Sequence, residues 1–340
     1  MKKILHLLFG RQQSGLIIVI LILGIILTLS AGTHINRQTG KTVNNFLNSY
    51  TLMQTATDAS FFAVMAVGAT MVIIYGGIDL SVGSVYALCG VLTAMMLRHY
   101  QLDSAGAVVL AIFVSLSLGL ICGLLNGAMV VGLNVHPFII TLGTMWIFRG
   151  IAFVMSKAES ILLPGSITAF AKANLGLSSA LYPVPMLVMI GVTAVGAFYL
   201  AKTVMGRHIY AVGGNPQASR YAGLNVKRIT ISVFAISGLT AGIAAFLGSA
   251  YYGSACCGDA TGYELYVIAS AVVGGASLSG GKGSAISAML GAILIILIRQ
   301  SIRTLHFDQN YEWIIIGAAT IIAVVLDKLN AQLTLKRAMK

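Results

Sequence analysis

The sequence predicts an all-α, polytopic membrane protein with about ten transmembrane helices. Three observations predict it. Charged residues make up only 9% of the 340 positions and hydrophobic ones 58%, whereas soluble domains carry roughly 25% charged residues. Mean hydropathy is +0.92. The apolar residues form long uninterrupted runs, unlike the alternating pattern of a membrane β-barrel. The basic residues gather at the ends of those runs, as membrane orientation requires. That placement reads the net charge of +12 as a topology signal, so no nucleic-acid partner is expected.

Taken in order, Met1–Gln13 is basic and precedes an apolar run at 14–31. It reads as a retained first helix, with a signal peptide cleaved after Leu29-Ser30-Ala31 as the rival reading. An unusually long polar link, Gly32–Thr57, follows. Further runs lie at 59–75, 79–97, 106–131, 138–156, 184–201, 230–250, 264–278, 284–302 and 312–328. Several are short for a hydrocarbon core that needs about 20 residues. Broken or re-entrant helices are therefore expected near 76–80 and 278–283. The octets Gly76–Gly83 and Gly274–Gly281 match at five of eight positions; chance and a duplicated half-span both explain this. Gly119, Gly123 and Gly127 share one helix face, as do Gly238 and Gly242, so close helix packing is expected there, within the chain or between subunits.

With the N-terminus inside, thirteen Lys and Arg fall on inner segments and seven on outer ones, with Arg149 inside a run. Both termini are thus expected in the cytoplasm. So is the loop at about 202–229. Its core, Met205–Ile229, interrupts the apolar runs with Arg207, His208, Arg220, Lys227 and Arg228 and no carboxylate. Asn215 suits a helix N-cap, Pro216 the first helical position and Gly223 the left-handed residue that ends a helix. Two turns are too short to be stable alone, so this segment needs a docking partner.

Gly280-Gly281-Lys282-Gly283-Ser284 fails the phosphate-loop pattern, since Ala276 replaces the first Gly and Gly283 follows the Lys. No nucleophilic triad, paired carboxylates or metal-ligand spacing occurs, so neither enzyme activity nor a cofactor or metal is expected. Cys89 and Cys122 read as small apolar residues; the adjacent Cys256 and Cys257 lack metal-ligand spacing. The charged and polar residues within or beside the runs mark candidate translocation-path positions, because charge in a bilayer is costly. Asp79 either caps a helix or gates a path. Arg149 either pairs structurally or binds solute hydroxyls. Asn126 suits an interhelical hydrogen bond, and Glu264 a loop cap or an outward docking surface. An ion-coupled secondary transporter is a rival reading, though it calls for paired carboxylates or His deep in the runs.

Four stretches carry a resemblance: GGIDLSVGS (76–84), HPFIITLGTMWIFRG (136–150), MGRHIYAVGGNPQASRYAGLNVKRI (205–229) and TGYELYVIASAVVGGASLSGGKGS (261–284). Together they resemble the permease subunits of bacterial ABC sugar importers of the ribose, xylose, galactose and autoinducer-2 class, the carbohydrate uptake transporter 2 family. The resemblance runs from about residue 58 to 328 and implies one permease domain over residues 1–340. It implies a fold like the vitamin B12-type importer permease, a pair of permease copies (a homodimer or close paralogues) in the lipid of the inner membrane, a separate ATPase subunit and a periplasmic sugar-binding protein. It makes Gly213, Gly214, Asn215, Pro216, Ala218, Arg220 and Gly223 the ATPase-coupling residues, and adds Thr141 to the candidate path with Asp79, Asn126, Arg149 and Glu264. An ABC permease for nucleosides or branched-chain amino acids is the alternative within this class.

Overall fold

The computed structural model describes residues 12–35, 40–177, 181–315, 317–318, 321 and 325. Helix α1 (Gln12–Ser30) leads into a short antiparallel ribbon of β1 (Thr33–Ile35) and β2 (Thr42–Asn44), with His34 paired to Val43. The link expected to be long and polar is therefore partly built. Helix α2 (Ser49–Tyr75) starts at Ser49 rather than at residue 59, because Asn48 caps it, its side chain accepting from the Thr51 amide at 2.8 Å.

Every residue of α2 from Ala59 to Ile74 is buried. A helix apolar on all sides belongs at the centre of a large bundle, and α2 is that centre. It ends at Gly76 (φ +96), a left-handed position that favours glycine. Residues 76–81 are not helical, and α3 (Val82–His99) then resumes. Helices α4 (Ala105–Leu133) and α5 (Pro137–Ser156) follow. They are joined through Asn134 (φ +51) and His136, whose ring accepts from the Phe138 amide. Next come β3 (Ile161–Leu162), the short α6 (Gly165–Ala171) and α7 (Val184–Lys202). Two short helices, α8 (Val204–Gly214) and α9 (Pro216–Tyr221), precede α10 (Val226–Tyr252). Strand β4 (Ser254–Ala255) pairs with β3. Helices α11 (Tyr263–Val273) and α12 (Ala285–Thr304) complete the labelled elements.

Ten spans were expected; eight helices among the described residues are long and apolar enough to cross a membrane. The run at 264–278 is helical for only 11 residues, about 16 Å, half of a typical hydrocarbon core. It stops at Gly274-Gly275, where Gly275 takes φ +94. The run at 312–328 lies largely outside the described residues. Both repeated octets thus fall on helix breaks: the first between α2 and α3, the second between α11 and α12.

Glycine decides the most extensive helix pair, α4 with α10. A Cβ on Gly119 would overlap the Gly238 carbonyl, one on Gly238 the Gly119 carbonyl, and one on Gly123 the Phe234 carbonyl. Ser115 donates to the Gly242 carbonyl at 2.9 Å across the same seam. The glycine faces therefore pack within this chain, so backbones meet where side chains would hold them apart.

The bundle has two ends. One carries α8 and α9, the α4–α5 joint and the start of α12; it is called the knob end below. The other carries the ribbons, α6 and residues 253–262, and both ion pairs found among the described residues, Arg299–Glu312 at 2.7 Å and Arg303–Asp58 at 3.3 Å.

Candidate functional site

The polar stretch around 205–229 forms a projecting knob. Helix α8 is capped by Thr203, whose hydroxyl accepts from the Gly206 amide at 3.0 Å. Asn215 caps α9, accepting from the Ala218 amide at 2.9 Å, with Pro216 in the first turn. Gly223 (φ +80) ends α9: its amide donates to the Arg220 carbonyl, and the Leu224 amide reaches back to the Ser219 carbonyl. Asn225 then caps α10 through the Arg228 amide at 3.0 Å. Each cap uses a residue type that accepts readily from free helix amides. Arg220 is exposed, and Tyr221 at 91% exposure stands clear of the fold. Such a tip is what a partner could grip.

The predicted coupling residues split by environment. A Cβ added to Gly214 would point into open space, although its backbone packs against Gly281. Gly213 is tightly enclosed: a Cβ there would overlap the Ile74 carbonyl oxygen and lie 2.7 Å from the Gly281 amide. That amide itself donates to the Ile74 carbonyl at 2.8 Å, and the Tyr210 hydroxyl donates to the Gly283 carbonyl at 2.8 Å. The base of the knob therefore rests at once on the last turn of α2, just before the first break, and on the second break, and these two are bonded to each other.

Three of the five predicted path residues meet beyond the first break. Asp79 accepts from the Ser81 amide at 2.9 Å and hydroxyl at 2.6 Å through one carboxylate oxygen, and from the Ser237 hydroxyl at 2.8 Å through the other. Asn126, fully buried, donates to the Ser81 hydroxyl at 2.8 Å. Thr141 donates to the Ile78 carbonyl at 3.1 Å. This node ties the break to α4, α5 and α10 and supplies donors to a carboxylate that burial would otherwise make costly. Asp79 thereby fixes the turn at Ser81, the residue that precedes α3, and α3 itself has no side-chain cap.

Arg149 and Glu264 lie apart from that node, toward the far end. Arg149 donates to the carbonyls of Cys257 and Asp259, pinning residues 256–262 to α5. The four cysteines are free thiols, and Cys257 contributes through its backbone. Glu264 packs beside Gly83, so that a Cβ on that glycine would come 2.6 Å from Glu264 Oε2. This oxygen is buried and without a hydrogen-bond partner. Asp79 and Glu264 thus approach the first turn of α3 from two sides, where the helix dipole favours negative charge. The sequence reading missed Ser81, Ser237 and Tyr210. Only Ser81, two residues after Asp79, carries a local signal, that of a side chain-to-backbone turn; the other two are brought in by the fold.

Residues 51–324 match the family model described as the branched-chain amino acid transport system / permease component. Among curated relatives, the D-allose transport system permease protein AlsC of Escherichia coli K12 is 36% identical over 286 residues, 84% of this chain and 85% of that one. The ribose import permease protein RbsC of the same strain is 35% identical over 318 residues, 93% of each chain. The fructose import permease protein FrcC of Rhizobium meliloti is 30% identical over 288 residues, 83% and 79% of the two chains. With a family match that runs from the central helix through both breaks and the knob, the chain belongs to this family of transport-system permease components.

Proposed function

We propose that this chain is the membrane-spanning permease of an ATP-driven importer for a monosaccharide. Its relatives named for allose, ribose and fructose import support the solute class. The family description, which names branched-chain amino acids, keeps a second reading in view, and competition of uptake by sugars against amino acids separates the two. The whole chain acts as one domain in a bacterial inner membrane, with both termini and the knob in the cytoplasm. It hydrolyses nothing itself. A separate ATPase chain grips α9 from below, a periplasmic sugar-binding protein delivers solute at the far end, and a second permease copy completes the pore.

The observation that carries this reading is the seating of the knob. A push on α9 passes through Gly213 and Tyr210 to the end of α2 and the second break, and from the end of α2 along the first break to the Asp79 node. A path that opens alternately to each side needs two states of similar energy which the ATPase biases. A second break bonded to the knob and to the end of α2 lets that bias reach the membrane interior. Asp79, Asn126 and Thr141 hold the inner side of the path. Arg149 and Glu264 hold its outer mouth.

Replacing Gly214–Arg220 by a Gly/Ser linker tests the coupling role. Uptake of labelled sugar into cells should vanish while the protein still inserts at normal levels. Uptake at the wild-type rate would remove the assignment.

A further inference from the structure

The geometry points to a binding pocket at the knob end for a phosphate-bearing anion, occupied by the headgroup of an anionic phospholipid. A cavity of about 690 Å³ lies between the knob and the α4–α5 joint, lined among others by Asn134, His136, Arg220, Asn225 and Lys227. Two long helices begin on its wall: α5, with His136 and Pro137, and α10, with Asn225, Val226 and Lys227. The positive ends of both helix dipoles therefore face the cavity, alongside a guanidinium and an ammonium group. Arg220 adds a fork that matches phosphate oxygens.

Among the described residues, no carboxylate lines the cavity to answer these cations. No Asp or Glu occurs from Ser104 to Ala158, nor from Ser160 to Gly258, the two stretches that supply every lining residue but Tyr75. Asp79 is buried and already accepts three hydrogen bonds. The ion pairs among the described residues involve Arg299 and Arg303, both at the opposite end. Among the described residues nothing supplies the counter-charge, and an external anion is the ligand that the cavity fits.

The apolar wall selects the source. Val130, Val131, Val135, Leu224 and Val226 line the same cavity. It borders the end of α4, where Leu125 and Leu133 expose apolar surface fit for acyl chains. A ligand charged at one end and apolar at the other satisfies both walls, and basic pockets at the ends of spans recognise such headgroups.

The test uses the purified full chain, stripped of lipid in a neutral detergent. Phosphatidylglycerol, phosphatidylcholine and inorganic phosphate are added separately. Bound lipid is counted by native mass spectrometry, and thermal unfolding is followed in parallel. Phosphatidylglycerol should be retained and should raise the unfolding temperature, and phosphatidylcholine should do neither. The Arg220→Gln/Lys227→Gln double variant, changed only at exposed positions, should bind phosphatidylglycerol about 30-fold more weakly. Equal retention of both lipids, or undiminished binding by the double variant, would overturn the proposal. Stabilisation by inorganic phosphate alone to the same extent would assign the pocket to a soluble anion and overturn the lipid assignment. If only an acidic partner protein, and no lipid, protects Lys227 from amine modification, the pocket is a protein interface and the proposal fails.

Discussion

At the residue scale, single atoms decide whether a helix can break inside the bundle. Asp79 satisfies the Ser81 amide, the Ser81 hydroxyl and the Ser237 hydroxyl at once. Asp79→Ala leaves those donors buried without acceptors and should destabilise the protein by about 3 kcal/mol or more. Asp79→Asn keeps one acceptor and should lose less. Thermal unfolding in detergent measures both, and equal stability of the three proteins would contradict the node. On the proposed coupling route, the bond from Tyr210 to the Gly283 carbonyl serves transmission rather than folding. In liposomes holding the assembled importer, Tyr210→Phe should leave ATP hydrolysis nearly intact and lower sugar imported per ATP severalfold. An unchanged ratio would remove the Tyr210–Gly283 bond from the coupling route, while leaving the knob assignment to stand or fall by the linker experiment.

At the element scale, the α4–α10 seam depends on backbone contact rather than on side-chain bulk. Gly123 and Gly238 each face a carbonyl of the other helix, and a side chain at either must part the pair. Gly123→Leu should therefore cost about 3 kcal/mol or more through overpacking. Gly132→Leu, on the same helix with open space around its Cα, should be tolerated. The amount of folded protein recovered from membranes reports both, and equal loss at the two positions would show that insertion rather than packing is impaired. Elements also show where the sequence was readable. The α9 cap was legible because Asn-Pro and Gly act within one turn of chain. The start of α2 at Ser49 was missed because its first turns are polar, and hydropathy reports lipid contact rather than helix. The second break was expected a few residues late, near 278–283, since Gly274 and Gly275 sit inside an apolar run.

At the scale of the whole molecule, charge is polarised along the bundle. Seven carboxylates fall on segments expected outside, from Asp58 to Glu312, and the knob stretch holds none. The rule that basic loops stay in the cytoplasm supports the proposed placement of the knob inside. A background in which the native cysteines are replaced by serine allows a direct check. Arg220→Cys should react with a membrane-impermeant maleimide only after cells are permeabilised, whereas Leu162→Cys, at the opposite end and exposed, should react in intact cells. Labelling of Arg220→Cys from outside would invert the molecule and end the coupling proposal.

The sequence by itself determined the membrane class, most of the spans, the capped helix of the knob and the polar residues worth watching. Each of these depends on composition or on neighbours within a few residues, where hydropathy, capping and backbone preference act. Only the tertiary structure decided that Asp79, Asn126 and Thr141 share one node while Arg149 and Glu264 lie apart from it, toward the opposite end. Only it showed that the second glycine octet, about two hundred positions away in the sequence, is bonded beneath the knob to the last turn of α2, just before the first octet. Contacts of that range follow from how helices pack around α2, and no local preference encodes them.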